Sequence, residues 1–347
     1  MQGWVKCKVE AQSMRNHFPL QLEHHEAILA MTQGEEFYGG MDYLPHALRG
    51  WLLEAQEDNS PRHNFVFTLE GGGEAEVAGF MSLHLLRGRT AAAKFAFRLH
   101  RELRGRGYGR AAQQLVTAQL RARHPGVSCA VSAVADSDLT DTEMEAMLSR
   151  GRVLTIKCVH EFSMKLESYE QLDVKSDCGA ELRMLKKAEF RELLLSGELT
   201  HLFPDNVVNI NWVPALLGTE EDAVFAARKQ QLVLVTPGPR PPALSILTLP
   251  YPVPGGVRAA LDIFALDPAH VEPHLLTQLQ NLERWRDVIT LHASGDKKNV
   301  FLSMALHADL SESFYRVSSQ LGLEQFRLIR GREKRKCVKM FIYETDL

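Results

Sequence analysis

A run of glycines and arginines between Lys94 and Arg110 is the part of the sequence best suited to chemistry. Three glycines stand at alternate positions, Gly105, Gly107 and Gly109, between two segments with regular apolar patterns. Glycine lets a backbone curl so that several N–H groups point to one side, and a helix N-terminus carries about half a positive charge. The combination predicts a phosphate site at the start of a helix.

The segments on both sides of the glycines must position them. Phe95, Phe97 and Leu99 recur at every second position, which is the period of a half-buried strand. The segment 111–123 carries its apolar residues on one face, as an amphipathic helix does. Strand, glycine turn and helix in this order favour a phosphate site, and the alternative is an ordinary glycine-rich turn with solvated arginines.

Two common phosphate loops do not fit this stretch. A P-loop needs a lysine followed by serine or threonine, and the dinucleotide fingerprint needs G-x-G-x-x-G spacing. Arg104, Gly107 and Gly109 instead meet the pattern [RQ]-x-x-G-x-[GA]. This pattern resembles the acyl-CoA loop of the GCN5-related N-acetyltransferases (GNAT). The resemblance implies acetyl-CoA as co-substrate, no metal, and the cofactor-binding residues Leu99, Arg104, Gly105, Arg106, Gly107, Tyr108, Gly109 and Arg110.

Composition limits the other possibilities. The 347 residues are 45% hydrophobic and carry a net charge of −3, so they can form large cores and are not suited to general nucleic-acid binding. The five cysteines form no C-x-x-C pair, so neither a disulfide framework nor a zinc site is expected. No apolar run is long enough to span a membrane. We expect a cytoplasmic protein without nucleic-acid or membrane partners, and the oligomeric state is left open.

The order of predicted elements supports a mixed α/β (α+β) fold. We predict a first strand at 18–22, a helix at 23–32, a helix at 48–55, and a hairpin from strands 64–70 and 77–86. A strand at 127–135, a helix at 140–148 and a strand at 152–166 follow the glycine helix. This order resembles the GNAT arrangement, in which the strands on either side of the loop and its helix splay apart around the pantetheine arm.

The second half of the chain repeats this order. Strands are predicted at 231–236, 243–249, 257–266 and 287–293, and helices at 268–285 and 310–321. No glycine cluster follows the strand that corresponds to Phe95–Leu99. We therefore predict a GNAT catalytic domain over 1–166, a polar linker over 167–179, and a degenerate GNAT-like domain without a phosphate loop over 180–347.

Several short blocks resemble the histidine N-acetyltransferases and their paralogs. They run in order along most of the chain: Tyr38-Gly-Gly-Met-Asp-Tyr-Leu-Pro45, His124-Pro-Gly-Val127, Ile210-Asn-Trp-Val-Pro214, Leu261-Asp-Ile-Phe264 and Tyr343-Glu-Thr-Asp346. The resemblance implies acetyl transfer from acetyl-CoA to the α-amine of free histidine. The chain departs from the family where it has Met81 and Phe95 in place of acidic residues, Ser149 in place of a tyrosine, and Asn211 in place of an aspartate.

Direct transfer needs a base for the amine and an acid for the departing thiolate. His84 is a candidate base, with a satisfied interior histidine as the alternative, and Tyr43 and Ser149 complete the candidate catalytic set. The candidate substrate-binding residues are Tyr38, Asp42, Tyr43, Asn211 and Trp212. A backbone N–H near Leu99 is expected to polarise the thioester carbonyl.

The sequence thus predicts an acetyl-CoA-dependent N-acetyltransferase acting on a free amino acid, with histidine as the first choice. Two alternatives remain at this stage. One is an acetyltransferase that acts on a peptide or protein amine. The other, suggested by the missing acidic residues, is a non-catalytic acyl-CoA-binding protein.

Overall fold

The chain forms many short helices and strands in a computed structural model. The structure describes residues 9–10, 23–32, 41–69, 76–136, 139–165, 181–227, 231–292, 299–321, 323–325 and 337–347. Among these residues, no helix has both the length and the apolar character that a membrane crossing requires.

The strands and helices are numbered in chain order. The strands are β1 (Val9–Glu10), β2 (Arg62–Leu69), β3 (Glu76–Leu86), β4 (Ala91–Leu99), β5 (Cys129–Ala135), β6 (Gly151–Lys165), β7 (Arg183–Leu185), β8 (Val207–Ile210), β9 (Val213–Leu216), β10 (Gln231–Val235), β11 (Ala243–Thr248), β12 (Tyr251–Val253), β13 (Gly256–Ala265), β14 (Asn299–His307), β15 (Glu324–Gln325) and β16 (Val338–Asp346). The α-helices are α1 (Glu23–Thr32), α2 (Leu44–Glu54), α3 (Tyr108–Arg123), α4 (Asp141–Arg150), α5 (Lys187–Ser196), α6 (Glu220–Ala226), α7 (Val271–Asn281), α8 (Arg286–His292) and α9 (Ser311–Gln320).

Contacts divide the chain into two compact units. The first contains 1–36, 42–132 and 345–347, and the second contains 37–41 and 133–344. The predicted linker, 167–179, lies outside the described residues. The predicted domain boundaries therefore stay a prediction.

In the first unit, helices cover both faces of a mixed sheet with strand order β1-β2-β3-β4-β5. Neighbouring strands are antiparallel except β4 and β5, which are parallel. α2 buries Leu44, Leu48 and Leu52, spaced one helical turn apart, against the face that also receives α1. α3 packs on the opposite face through a cluster that contains Val116 and Leu120. β4 contributes side chains to both clusters and thus lies between the two helix layers.

The strands of the second unit are neighbours in the order β16-β6-β14-β13-β11-β10-β7, and β12 also pairs with β13. β13 and β14 are parallel, while β10, β11 and β6 pair antiparallel to their neighbours. A hydrophobic cluster joins β6, β13 and β14 to α7 and α9, with Leu275 and Phe314 fully buried. The parallel strand pair followed by helices repeats the plan of the first unit.

Most predicted elements are confirmed within a few residues. The helix at 23–32 has the predicted bounds, and the helix at 140–148 is α4. The predicted first strand at 18–22 lies outside the described residues.

The predicted strand at 287–293 is wrong, because this segment forms α8. Its β-branched residues favour a strand, but Ile289 is buried in the core as part of a helix, and packing outweighs this weak propensity. The parallel partner of β13 is β14, which lies further along the chain.

Candidate active site

The glycine turn connects β4 to α3. A short 3-10 turn at 101–103 places Leu103 in the core, and the chain then bends at Gly105 and Gly107. Their φ angles are +72° and +85°, which residues with a Cβ adopt only with strain. A Cβ added at either glycine would meet nothing within 4 Å, so the space beside both is open.

The first turn of α3 has backbone donors available. Gly107 is the N-cap residue and has no side-chain capping hydrogen bond, and the Ala111 N–H donates to the Gly107 carbonyl over 3.2 Å. The N–H groups of Gly109 and Arg110 precede the first intrahelical hydrogen bond. They lie at the positive end of the helix dipole, which is the local arrangement that holds an anion.

The arginines of this segment have different roles. Arg104 folds back and donates to the Leu99 carbonyl through Nε (3.0 Å) and one Nη (2.8 Å). Arg98 is buried and forms an ion pair with Asp42 at 3.0 Å. Arg106 and Arg110 are exposed, so they bring positive charge to the open side of the turn.

β4 and β5 separate just before this turn. They pair only from Ala91 with Cys129 to Lys94 with Ser132, although β4 continues to Leu99. β13 and β14 in the second unit pair over seven residues, so that pair stays closed for longer. The splayed strands predicted for the acyl-CoA site are therefore found in the first unit.

β4 also contains a bulge where the pairing with β5 has ended. Phe80 pairs with Arg98 and Ser82 pairs with Phe95, so Ala96 and Phe97 both stand opposite Met81. Ala96 has a φ of +55°. A bulge frees a backbone group from the ladder and turns it to a new direction. This bulge therefore offers backbone donors beside the separated strands.

Three aromatic rings follow one another on the α2 side of β4. The centroids of Tyr43 and Trp51 are 6.0 Å apart, and Trp51 meets Phe95 edge-on at 5.2 Å. The Arg98 guanidinium lies 5.6 Å from the Tyr43 ring, and the Arg62 guanidinium lies 5.0 Å from Trp51 and 4.9 Å from Phe95. These aromatic residues form a half-buried wall with an arginine near each end, which we call the aromatic wall (Tyr43, Trp51 and Phe95).

The structure places Asp42 and Tyr43 at the start of α2. One carboxylate oxygen of Asp42 accepts hydrogen bonds from Arg98 at 3.0 Å and from the Leu44 N–H at 3.2 Å. Tyr43 is the N-cap residue of α2. The two candidates thus lie side by side, with Asp42 committed to fixing the helix start and Tyr43 on the aromatic wall.

His84 lies on β3 directly opposite Arg62 of β2. It is 2% exposed, and its Nδ1 is 3.8 Å from Oε1 of Glu54. The Glu54 side chain is 35% exposed, so it is the accessible member of this pair. His84 therefore lies behind Glu54 rather than on an open surface.

The second unit contains three other candidates. Ser149 is exposed on α4, and its hydroxyl donates to the Ala146 carbonyl at 3.0 Å. Asn211 and Trp212 form the turn between β8 and β9, with φ angles of +48° and +66°. The Asn211 N–H donates to buried Asp262 at 2.8 Å. Two of the short blocks that resemble the histidine N-acetyltransferases therefore contact each other.

Tyr38, the remaining substrate candidate, lies outside the described residues. Met81 and Phe95, the two strand positions at which the sequence departs from the histidine N-acetyltransferases, lie on different faces of the sheet. Met81 is 1% exposed in the cluster beneath α3, whereas Phe95 belongs to the aromatic wall on the opposite face. Their surroundings are apolar or aromatic, which explains locally why each position tolerates an uncharged residue.

Sequence reasoning missed Glu54 and Arg62. The Nε of Arg62 donates to Glu54 at 2.6 Å, and one Nη donates to Ser82 at 3.1 Å. Burial lowers the pKa of Arg62, and the nearby Glu54 carboxylate opposes that shift. No motif joins Glu54, Arg62 and Ser82, because they belong to α2, β2 and β3 and meet only after folding.

Comparisons with known proteins agree with this geometry. The family model "Acetyltransferase (GNAT) domain" matches residues 18–141, and "Histidine N-acetyltransferase, C-terminal" matches residues 179–292. A human protein called "Probable N-acetyltransferase 16" is 24% identical over 93% of this chain and 83% of its own length. The histidine N-acetyltransferase of Xenopus tropicalis is 24% identical over 73% of this chain and 76% of its own length.

Solved structures show the same fold. A tandem GNAT protein from the clavulanic acid biosynthesis pathway has a TM-score of 0.53 at 14% identity, covering 95% of this chain and 97% of its own. A putative acetyltransferase from Pyrococcus horikoshii has a TM-score of 0.51 at 9% identity, covering 100% of this chain and 92% of its own. The GNAT fold implies an acyl-CoA donor and an amine acceptor. The matches therefore indicate an acetyl-transferring enzyme in which residues 18–141 are similar to the GNAT domain and the chain as a whole resembles the histidine N-acetyltransferases.

Proposed function

We propose that the chain transfers an acetyl group from acetyl-CoA to the α-amine of a free amino acid, with histidine as the first acceptor to test. The single observation that carries the proposal is the separation of β4 from β5 next to a glycine turn with available N–H groups. The family model over 179–292 and the relatives called histidine N-acetyltransferases support the choice of acceptor.

The residues of the turn fit the diphosphate of CoA. Gly105 and Gly107 leave open space where side chains would otherwise stand, and the N–H groups from Gly105 to Arg110 supply donors at the start of α3. Exposed Arg106 and Arg110 supply charge. Arg104 is assigned the task of holding the turn against the Leu99 carbonyl, since its guanidinium already donates there twice.

The open edge of β4 is assigned to the pantetheine arm and the thioester. Phe95 to Leu99 lie beyond the last pair with β5. A backbone N–H of this edge, at the bulge around Ala96 or near Leu99, is assigned to the thioester carbonyl oxygen. Such a donor stabilises negative charge on that oxygen when the amine attacks.

The acceptor has to attack as a neutral amine. A free α-ammonium has a pKa of about 8, so its deprotonation near neutral pH costs only about 1 kcal/mol. The nitrogen forms the new bond to the acetyl carbon and gives up one proton, the bond from that carbon to sulfur breaks, and CoA leaves as a thiolate that takes up a proton. Tyr43 is assigned to this proton transfer because its ring lies on the aromatic wall, and Ser149 stays a sequence-based candidate.

The apolar residues at Met81 and Phe95 favour a second candidate acceptor, an amine of a peptide or protein. These strand positions lack the carboxylates that would pair with the ammonium of a free amino acid. The binding of a peptide N-terminus would depend more on contacts of the peptide backbone and side chains along an open groove.

A panel of acceptors with thiol detection tests both candidates. Each of the common amino acids, a short peptide with a free N-terminus and a buffer blank are incubated with acetyl-CoA and the protein, and CoA release is followed. Histidine-dependent release that yields N-acetylhistidine by mass spectrometry is the expected result. Release with the peptide but not with any amino acid would replace the first candidate by the second.

A further inference from the structure

A buried arginine and a partly exposed glutamate form an ion pair beside the separated strands. The Arg62 side chain is 3% exposed, and its Nε lies 2.6 Å from Oε2 of Glu54. Its second contact is Ser82, at 3.1 Å from one Nη. The ring centroids of Trp51 and Phe95 lie 5.0 Å and 4.9 Å from the same guanidinium. Arg62 is therefore enclosed and holds Glu54 in a fixed position.

The second carboxylate oxygen of Glu54, Oε1, is the one that Arg62 does not hold. Oε1 is 3.8 Å from Nδ1 of His84, which exceeds hydrogen-bonding distance. Within the described part of the chain, no hydrogen bond to Oε1 is found. With 35% of its side chain exposed, Glu54 can accept a hydrogen bond from a ligand through this oxygen while Arg62 keeps the other.

Glu54 is also close to the assigned thioester edge. Arg62, its partner, lies 4.9 Å from the Phe95 ring, and Phe95 is the first β4 residue beyond the last pair with β5. The Arg62 side chain therefore connects the Glu54 carboxylate with Phe95, where β4 and β5 have separated. The carboxylate approaches from α2, on the face of the sheet that carries the aromatic wall.

Asp42, the acid that the sequence favoured, is less available. Its side chain is 14% exposed, and Oδ1 receives hydrogen bonds from Arg98 and the Leu44 N–H. These contacts fix the start of α2 against β4. Of the two carboxylates beside the aromatic wall, Glu54 is the more exposed, with 35% of its side chain accessible against 14% for Asp42.

We propose that Glu54 binds the ammonium group of the acceptor amino acid through Oε1 and so selects cationic amines. It supplies from α2 the carboxylate that the strand positions Met81 and Phe95 lack. This inference rests on the proposed function, and it names Glu54 as a specificity-determining residue of the same site. Arg62 is a positioning residue that holds the carboxylate.

The first test compares Glu54→Gln with Glu57→Gln. Both remove one negative charge from neighbouring positions, but Glu57 is exposed and lies in the turn after α2. Binding of L-histidine is measured by calorimetry with CoA present, and KM values are measured for L-histidine and acetyl-CoA. Loss of one charge-assisted hydrogen bond predicts roughly 10- to 100-fold weaker histidine binding for Glu54→Gln. Its acetyl-CoA KM should be unchanged, and Glu57→Gln should match wild type in both.

A second variant separates binding from stability. Glu54→Gln leaves Arg62 buried without its counter-charge, which lowers stability. The double variant Glu54→Gln/Arg62→Met removes both charges and should regain the wild-type thermal midpoint. We expect it to bind CoA normally and to remain defective for L-histidine. If histidine binding returned together with the thermal midpoint, the role of Glu54 would be structural and the inference would be overturned.

The remaining outcomes are also distinct. Wild-type binding of L-histidine that Glu54→Gln leaves unchanged would overturn this inference and leave the proposed function standing. A wild-type protein that neither binds nor acetylates L-histidine, while still binding CoA, would overturn the proposed acceptor and this inference together.

Discussion

Replacing Gly107 with glutamate tests whether the glycine turn holds the diphosphate of CoA. Gly107 has a φ of +85°, and an added Cβ meets nothing within 4 Å. The substitution therefore brings backbone strain of about 1 to 2 kcal/mol but no steric overlap within the described residues. The folded protein should survive with a modestly lower thermal midpoint.

The effect on binding follows from charge. Two unit charges about 4 Å apart interact by about 1 kcal/mol in bulk water and about 4 kcal/mol where the effective dielectric constant is about 20. The glutamate faces two phosphate charges in the assigned position. The repulsion is therefore at least about 2 kcal/mol, which corresponds to roughly 30-fold weaker CoA binding.

The second unit offers a matched control for this measurement. Gly255 also has a φ of +85° and nothing within 4 Å of an added Cβ. Gly255→Glu brings the same strain and the same charge away from the turn between β4 and α3. Calorimetric titration with CoA should show the large loss of CoA affinity for Gly107→Glu and not for Gly255→Glu. Equal affinities for wild type and Gly107→Glu, or an equal loss in both variants, would refute the assignment of the turn.

Two further predictions concern buried titratable groups of the second unit. Lys157 lies 3.4 Å from Asp262, and both side chains are almost fully buried, so Lys157→Met should lower the free energy of unfolding in urea by about 3 to 5 kcal/mol. The double variant Lys157→Met/Asp262→Asn should recover part of this loss, and no recovery would contradict a charge-based cause. Burial lowers the pKa of His274 to about 3, with a smaller contribution from His270, whereas the unfolded value is about 6.5. The unfolded state binds this proton first as pH falls, so stability is lost from about pH 6.5 downward. Between about pH 7 and pH 5 wild type should lose about 2 kcal/mol more than His274→Gln, and parallel losses would contradict this assignment.

Regular local patterns were enough to predict much of the fold. The two-residue period of Phe95, Phe97 and Leu99 predicts β4, and the apolar face of 111–123 predicts α3. The glycine turn between them could be found because left-handed backbone conformations strongly favour glycine. These features depend on neighbours in sequence, and the sequence contains them directly.

Local patterns failed where packing decided the outcome. The β-branched residues at 288–290 indicate a strand, but this segment forms a helix, and Ile289 is buried in the core of the second unit. The strand pattern indicates His84 as a candidate base. Only the packing of α2 on β2 and β3 shows that Glu54 lies beside His84 and is the more exposed of the two.

The sequence alone determined most of the order of elements, the glycine turn and the resemblance to histidine N-acetyltransferases, because each depends on residue types at short fixed spacings. Only the tertiary structure decided which charged groups meet. Asp42 and Arg98 are 56 residues apart, and Glu54 meets Arg62 and His84 from three different elements. Such pairs form when layers of a fold pack together, and no spacing in the sequence encodes the distance between their atoms.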